Sequence, residues 1–310
     1  MKLGVVSSAL DAFEAGLDRL RELGADAIEI GCGGYHGRRF GDPARLVEDA
    51  GERDRWAEAI AARGLEISAL ALHGAPLSPD PEVARGYDAE FRAACRLAEL
   101  IGVTRVTLLA GIPEGAAGDA TPCWIASAFP PGNRDVLEWQ WERRVVPYWR
   151  EHARIAAGHG CSLCFEMHPN DVVHNPRAFL RLRDAIGPVA TLNFDPSHLF
   201  WQGIDTLEAL RALGDHVDHV HAKDTALNMR AVRLNGVLDS GPFDDLAARA
   251  WSFRTIGFGH GDAYWRQFVS VLREIGYDGA ISIEHEDLYM DPADGLAKAV
   301  AFLRPLLPSP

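Results

Sequence analysis

No stretch of this sequence approaches the roughly 20 consecutive apolar residues that a membrane-crossing helix needs. The N-terminus, MKLGVVSSALDAFEAG, breaks into acidic residues too soon for a secretory signal of the usual form. Positive charge is scarce: 31 Lys and Arg stand against 44 Asp and Glu, a formal net charge of −13. Tracking nucleic acid or an anionic membrane requires clustered Lys and Arg, so this balance argues against both. Cysteine is sparse and odd in number: Cys32, Cys95, Cys123, Cys161 and Cys164, five in 310 residues, do not suggest a disulfide scaffold. Cys161 and Cys164 have CxxC spacing, but residues three apart on a strand point to opposite faces, and they read as small core residues. No glycine-rich phosphate fingerprint follows the first apolar run, and GCGG at 31–34 is too short and misplaced to be one. What is present is an ordinary globular balance, 47% hydrophobic and 24% charged, expected in the cytoplasm with a small molecule as its partner. The residues leave open whether it works as a homo-oligomer.

Short apolar runs alternate with amphipathic stretches along the whole chain. The runs are KLGVVSS (2–8), DAIEIGCG (26–33), LEISALALHG (65–74), RVTLLAG (105–111), SLCFEMHP (162–169), VATLNFDPSH (189–198), VDHVHAKD (217–224) and GAISIEHED (279–287). Helical spacing of apolar residues follows each at 11–23, 52–63, 82–101, 134–159, 175–186, 205–213, 262–275 and 291–306. Strand and helix repeated eight times imply a parallel sheet, because each crossover returns the chain in the same direction. The length, somewhat above the roughly 250 residues usual for the fold, predicts one (β/α)8 TIM barrel over 1–310 in preference to an open doubly wound sheet. Extra length collects after the fourth strand (111–133) and the seventh (225–258), where barrel loops build the active face. Both loops carry aromatics, Trp124 among them, which either anchor the loops or meet substrate.

The period of two along a strand then places polar residues. In SLCFEMHP, Leu163, Phe165 and Met167 share the face that packs under helices, and Ser162, Cys164, Glu166 and His168 share the other. Asp195 ends the sixth strand with His198 three residues on, His219, His221 and Lys223 alternate along the seventh, and Glu284 and Glu286 end the eighth. Buried carboxylates converging on one cavity repel each other, and a divalent cation neutralises them. Glu166, Asp195, His221 and Glu284 form a set of three carboxylates and one imidazole suited to Mn2+, with Mg2+, Co2+ or Zn2+ as alternatives. His73 on the third strand and Glu29 on the second face the same rim, either supporting the site or making structural hydrogen bonds. Lys223 serves either as a base or electrostatic partner or as a salt-bridge member.

This succession, FEMHP with Glu166, FDPSH with Asp195 and His198, HAKD with His221, SIEHED with Glu284, and GFGHGDAYW at 257–265, resembles the xylose-isomerase-like barrel superfamily, in particular its sugar phosphate isomerase/epimerase branch. The resemblance implies that Glu166 and Glu284 bind the metal and also move a proton on opposite faces of an enediolate, a division of labour that metal polarisation of a carbonyl makes physically sound. It implies that His198 contacts substrate oxygens. His168, His260 and Arg254 are further candidates for substrate contact, and Leu227 stands where related epimerases carry an Arg. The expected activity is isomerisation or epimerisation of a ketose or keto-sugar. A metal-dependent lyase that eliminates beside a 3-keto group, or dehydrates an inosose, is the alternative, and a non-catalytic sugar-binding barrel is the alternative of another class. Endonuclease IV shares the barrel but needs a His after the fourth strand, where this chain reads LLAG.

Overall fold

Eight of the ten strands close on themselves as a parallel barrel. In chain order the strands are β1 (Lys2–Val6), β2 (Ala27–Gly31), β3 (Glu66–Ala71), β4 (Arg105–Leu108), β5 (Ser162–Glu166), β6 (Ala190–Phe194), β7 (Val217–Ala222), β8 (Asp224–Leu227), β9 (Trp251–Arg254) and β10 (Ala280–Ile283). The barrel runs β1-β10-β7-β6-β5-β4-β3-β2, and β8 with β9 forms a separate antiparallel hairpin. Closure comes from β1, which pairs with β10 on one side (Leu3 opposite Ile281) and β2 on the other (Gly4 opposite Ala27). This computed structural model describes residues 1–308, so the last two residues of the expected 1–310 domain lie outside the described residues.

The helices form where the apolar spacing places them, and their starts are chemically marked. Asp80, Asn175 and Asp291 each accept a backbone N–H from the turn that follows, with Pro81, Pro176 and Pro292 next in the chain. Proline there loses nothing, because the first N–H of a helix has no intrahelical partner. The same Asp-Pro signature at Asp42 and Pro43 starts a helix over Pro43–Glu48 that the apolar spacing did not reveal. The helix expected over 134–159 runs from Gly132 to Gly158 through a widened turn at Trp141–Val145. Pro147 comes two residues after that turn; its ring would meet the carbonyl four residues back in an unbroken α-helix, and the wider turn, with the Val146 N–H on Trp141 O, accommodates it.

Strand residues facing outward make the core with the helices. Phe165 on β5 meets the edge of Trp149, ring centroids 4.7 Å apart, while the Trp149 indole N–H donates to Ala110 O at 2.9 Å. Leu17, Leu20, Phe91, Phe179 and Phe268 are fully buried in the same shell. None of the helices is long and apolar enough to cross a membrane among the described residues. The five cysteines are free thiols.

Two connections at the carboxyl ends of the strands are long. Residues 109–131 link β4 to its helix without regular structure. After β7 the chain makes the β8/β9 hairpin, with a helix at Met229–Asn235 in its connection. The hairpin is tied down by Asp224, whose Oδ2 accepts the backbone N–H groups of Gly257 (3.0 Å), Gly259 (3.0 Å) and His260 (2.8 Å). Gly259 is required there: a Cβ would stand 2.4 Å from Thr225 O. Asp224→Ala should therefore lower the stability measured by urea denaturation by about 3 kcal/mol or more, since it strands the buried Thr225 N–H and Trp265 indole N–H along with these three part-buried backbone donors, at about 1–3 kcal/mol per buried group. Replacing exposed Asp11 by Ala should shift stability by less than about 0.5 kcal/mol.

Candidate active site

Glu166 is the last residue of β5, Asp195 follows β6 by one residue, His221 lies near the end of β7 and Glu284 follows β10 directly. Register makes them meet: Glu166 lies opposite Asn193, and His221 opposite Ser282, on adjoining strands. One potential ligand atom from each of the four lies within 4.8 Å of the other three. His221 Nδ1 is 3.1 Å from Glu166 Oε2 and 3.4 Å from Glu284 Oε2. All four side chains are buried.

Two atoms in this cluster are aimed without being satisfied. Asp195 Oδ1 accepts the Ser197 N–H at 2.8 Å, but buried Asp195 Oδ2 has no hydrogen-bond partner. His198 Nε2 is equally orphaned, although it stands 3.1 Å from Glu166 Oε1 and 3.4 Å from Asp195 Oδ2 without hydrogen-bond geometry. The Lys223 ammonium stands 3.5 Å from Asp195 Oδ2 without a hydrogen bond to it, and a buried carboxylate oxygen left with an open lone pair fits a cation. Three carboxylate oxygens and one imidazole nitrogen suit a divalent ion with hard-ligand preference.

The charges are strongly interdependent. Burial opposes ionisation of Glu166, but His73, His198 and His221 hold its carboxyl well below the usual range. Burial also opposes the charge on Glu284, and Lys223 and His221 hold it down likewise. Asp195 goes the other way: burial pushes its carboxyl up against the pull of Lys223 and His198. Burial disfavours an imidazolium at His221, yet Glu29 and Glu284 raise it well above the ordinary histidine value.

Beneath the cluster lies a layer closed to solvent. Glu29 Oε2 accepts from His221 Nε2 at 3.0 Å and from His219 Nε2 at 2.7 Å, while Glu29 Oε1 accepts from Thr107 Oγ1 at 2.6 Å. His219 Nε2 also lies 3.1 Å from Ser282 Oγ. With its Nε2 proton committed to Glu29, His221 presents Nδ1 to the cluster, the arrangement that orients a metal-binding imidazole. Of the two roles open to Glu29, support of the site is the one its contacts describe.

His73 Nε2 meets Glu166 Oε2 at 3.2 Å, and Asn193 Nδ2 donates to that oxygen at 2.8 Å. His73 Nδ1 in turn is 3.0 Å from His36 Nε2. His36 escapes a reading by strand alternation because it comes from the turn after β2, where Gly34 adopts φ +54° and a Cβ would overlap His73 O. The glycines in GCGG thus let one loop press on another, and the Tyr35 N–H donates to His73 O at 2.7 Å. Asn193 was visible in the alternation of β6 but carries no charge to mark it.

His168 lies beside His198, ring centroids 4.1 Å apart, and burial together with His198 pushes its imidazole down to about 3. Lys223 Nζ bonds Glu284 Oε2 at 2.6 Å and Glu286 Oε2 at 2.9 Å and lies 4.5 Å from the centre of the Phe253 ring. Of three other candidates, Arg254 and His260 carry ion-pair partners and Trp124 does not. Arg254 pairs with Asp287 at 3.2 Å and covers Tyr289; His260 pairs with Asp224 at 2.8 Å and stacks on Phe200; Trp124 meets the edge of His174, its indole N–H buried without a partner.

Glu29→Gln should weaken Mn2+ binding, measured by isothermal titration calorimetry, by about 10–100-fold through loss of the His221 orientation. Wild-type binding should tighten as pH rises and should release protons, because His221 must give up its Nδ1 proton to become a ligand.

An uncharacterized protein of Bacillus subtilis (strain 168), YfiH, is 34% identical over 309 residues, covering 98% of each chain. Among solved structures, the probable 3-DHS dehydratase AsbF from Bacillus anthracis superposes with TM-score 0.68 at 17% identity, over 98% of this chain and 99% of that one. The 3-keto-D-glucoside 4-epimerase YcjR from E. coli superposes with TM-score 0.65 at 18% identity, over 98% and 99%. At these identities the likeness to solved structures is one of fold. The family model described as xylose isomerase-like TIM barrel matches residues 17–306, and the chain belongs to that family.

Proposed function

We propose that this protein is a divalent-metal-dependent sugar isomerase or epimerase acting on a ketose or keto-sugar. The observation that carries this reading is the convergence of two buried carboxylates, Glu166 and Glu284, on His221 Nδ1. They come from β5 and β10, separated in the barrel by β6 and β7. A sugar seated between them presents its reacting carbon to one carboxylate on each side.

Glu166, Asp195, His221 and Glu284 would hold the cation, with Mn2+ the expected ion. Bound there, it would polarise a carbonyl and the adjacent hydroxyl, acidifying the C–H between them. One glutamate then removes the proton and the other returns it, to the opposite face for epimerisation or to the neighbouring carbon for isomerisation. His73 and Asn193 fix Glu166 Oε2, which directs Oε1 toward the substrate beside His198. Lys223 fixes Glu284 Oε2 in the same way. His198 and neutral His168 bind substrate oxygens, and burial keeps competing water from the abstracted proton.

Lys223 favours a second reading. An ammonium 2.6 Å from the proton-transferring Glu284 is placed to protonate a departing oxygen, and the same first step would then end in elimination. The fold neighbours include several sugar epimerases and a probable dehydratase.

Glu166→Gln and Glu284→Gln should each slow exchange of a substrate C–H with solvent deuterium by about 10²–10⁴-fold, followed by NMR over a panel of ketoses and keto-glycosides. Exchange within tenfold of wild type in both variants would refute the pairing. An unsaturated product detected by ultraviolet absorbance would assign the elimination branch.

A further inference from the structure

We infer that the site accepts a sugar carrying a second sugar ring, and that this second ring occupies a cavity beside the proton-transfer pair. The inference rests on the carbohydrate reading above and names the substrate class more narrowly.

The cavity, of about 260 Å³, is lined by Phe243, Arg249, Ser252, Phe253, Glu286 and Leu288. It takes the volume of about nine waters at roughly 30 Å³ each, yet two of its walls are phenyl rings and a third is a leucine, which serve water poorly. Its position follows from shared side chains. Lys223 bonds both Glu284 and Glu286, at 2.6 and 2.9 Å, and faces the Phe253 ring at 4.5 Å. His198 also meets Phe253 edge to face, ring centroids 5.2 Å apart. Phe253 and Glu286 therefore border both the cavity and the Lys223 that bonds Glu284, so the cavity adjoins the buried cluster.

The lining has the two kinds of surface that a pyranose offers. The flat C–H face of a sugar ring stacks on aromatic and aliphatic side chains, while its hydroxyls need donors and acceptors at the edge. Phe243, Phe253 and Leu288 supply the first; the Arg249 guanidinium, the Glu286 carboxylate and the Ser252 hydroxyl supply the second. Phe243 and Leu288 are 62% and 60% exposed, an apolar surface the fold itself leaves uncovered.

The wall is also held in place. Arg249 sits over Phe243 at 3.7 Å and over Trp251 at 5.1 Å, and Trp251 stacks flat on buried Trp201, centroids 4.5 Å apart at 6°. The Tyr289 hydroxyl donates to Leu246 O at 2.7 Å, tying the long connection between β8 and β9 to the segment after β10. A pre-formed wall lowers the ordering cost of binding a ring there.

The test is binding without turnover. Calorimetric affinities are measured on the Mn2+-loaded chain and on Glu166→Gln for cellobiose, maltose, lactose, melibiose, sucrose and trehalose, against their constituent monosaccharides, methyl glucosides and phenyl β-D-glucoside. At least one disaccharide should bind tenfold or more tighter than its constituents and than phenyl β-D-glucoside, and Phe243→Ala and Arg249→Ala should each reduce that ratio to below threefold. A ratio near one for every disaccharide overturns the inference, as does a phenyl glucoside that binds tighter than all of them, or a ratio that both variants leave intact. Because Glu166→Gln binds without reacting, loss of proton exchange in that variant and loss of the disaccharide preference are read separately.

Discussion

Mutual repulsion among Glu166, Asp195 and Glu284 is the constraint around which the mouth of the barrel is arranged. Two like charges about 4 Å apart repel by about 4 kcal/mol at an effective dielectric constant of about 20, and burial makes each charge costly in its own right. The neighbouring residues answer that repulsion: His73, His198 and His221 hold the Glu166 carboxyl well below its usual range, and Lys223 and His221 do the same for Glu284. Asp195 is the one carboxyl of the three that burial pushes up despite Lys223 3.5 Å away, and its Oδ2, without a hydrogen bond, marks where further positive charge belongs. A divalent cation satisfies the electrostatics and the open valence together.

The arrangement is layered. Glu29 and His219 hold His221 from below; His73, Asn193 and His36 hold Glu166 from the side; Lys223 holds Glu284. Each proposed proton-transfer group thus has one oxygen fixed and one directed inward. The barrel makes this possible because parallel strands end at one rim, so residues far apart in sequence arrive at similar height. The long connection between β8 and β9 adds a wall to that rim, anchored at its base by Asp224.

Much of this was legible in the sequence, for physical reasons. A strand alternates faces, so a carboxylate in phase with inward residues, as Glu166 is in SLCFEMHP, declares its direction, and four strands declaring the same direction declare a site. Helices were legible where apolar residues recur at helical spacing. The short helix Pro43–Glu48 was not, because it has too few turns to establish a period, although Asp42 and Pro43 marked its start. His36 was hidden because a turn has no period; its direction depends on the positive φ of Gly34 and on the approach of the β3 end. The link from Asp224 in HAKD to GFGHGD was hidden for a related reason: both motifs stood out, but the hydrogen bonds joining them depend on a hairpin whose pairing only the folded chain reveals. The partners of Arg254 and His260, Asp287 and Asp224, are distant in sequence, so no local spacing announces those pairs.

Crystallography of the Mn2+-soaked protein at the manganese absorption edge tests most directly whether Glu166, Asp195, His221 and Glu284 together hold one divalent cation between the two proposed proton-transfer groups. One anomalous peak per chain is expected, within bonding distance of one atom from each of those four side chains. A peak among Glu29, His219 and His221 instead, or none at the four-residue cluster at saturating Mn2+, would contradict that assignment.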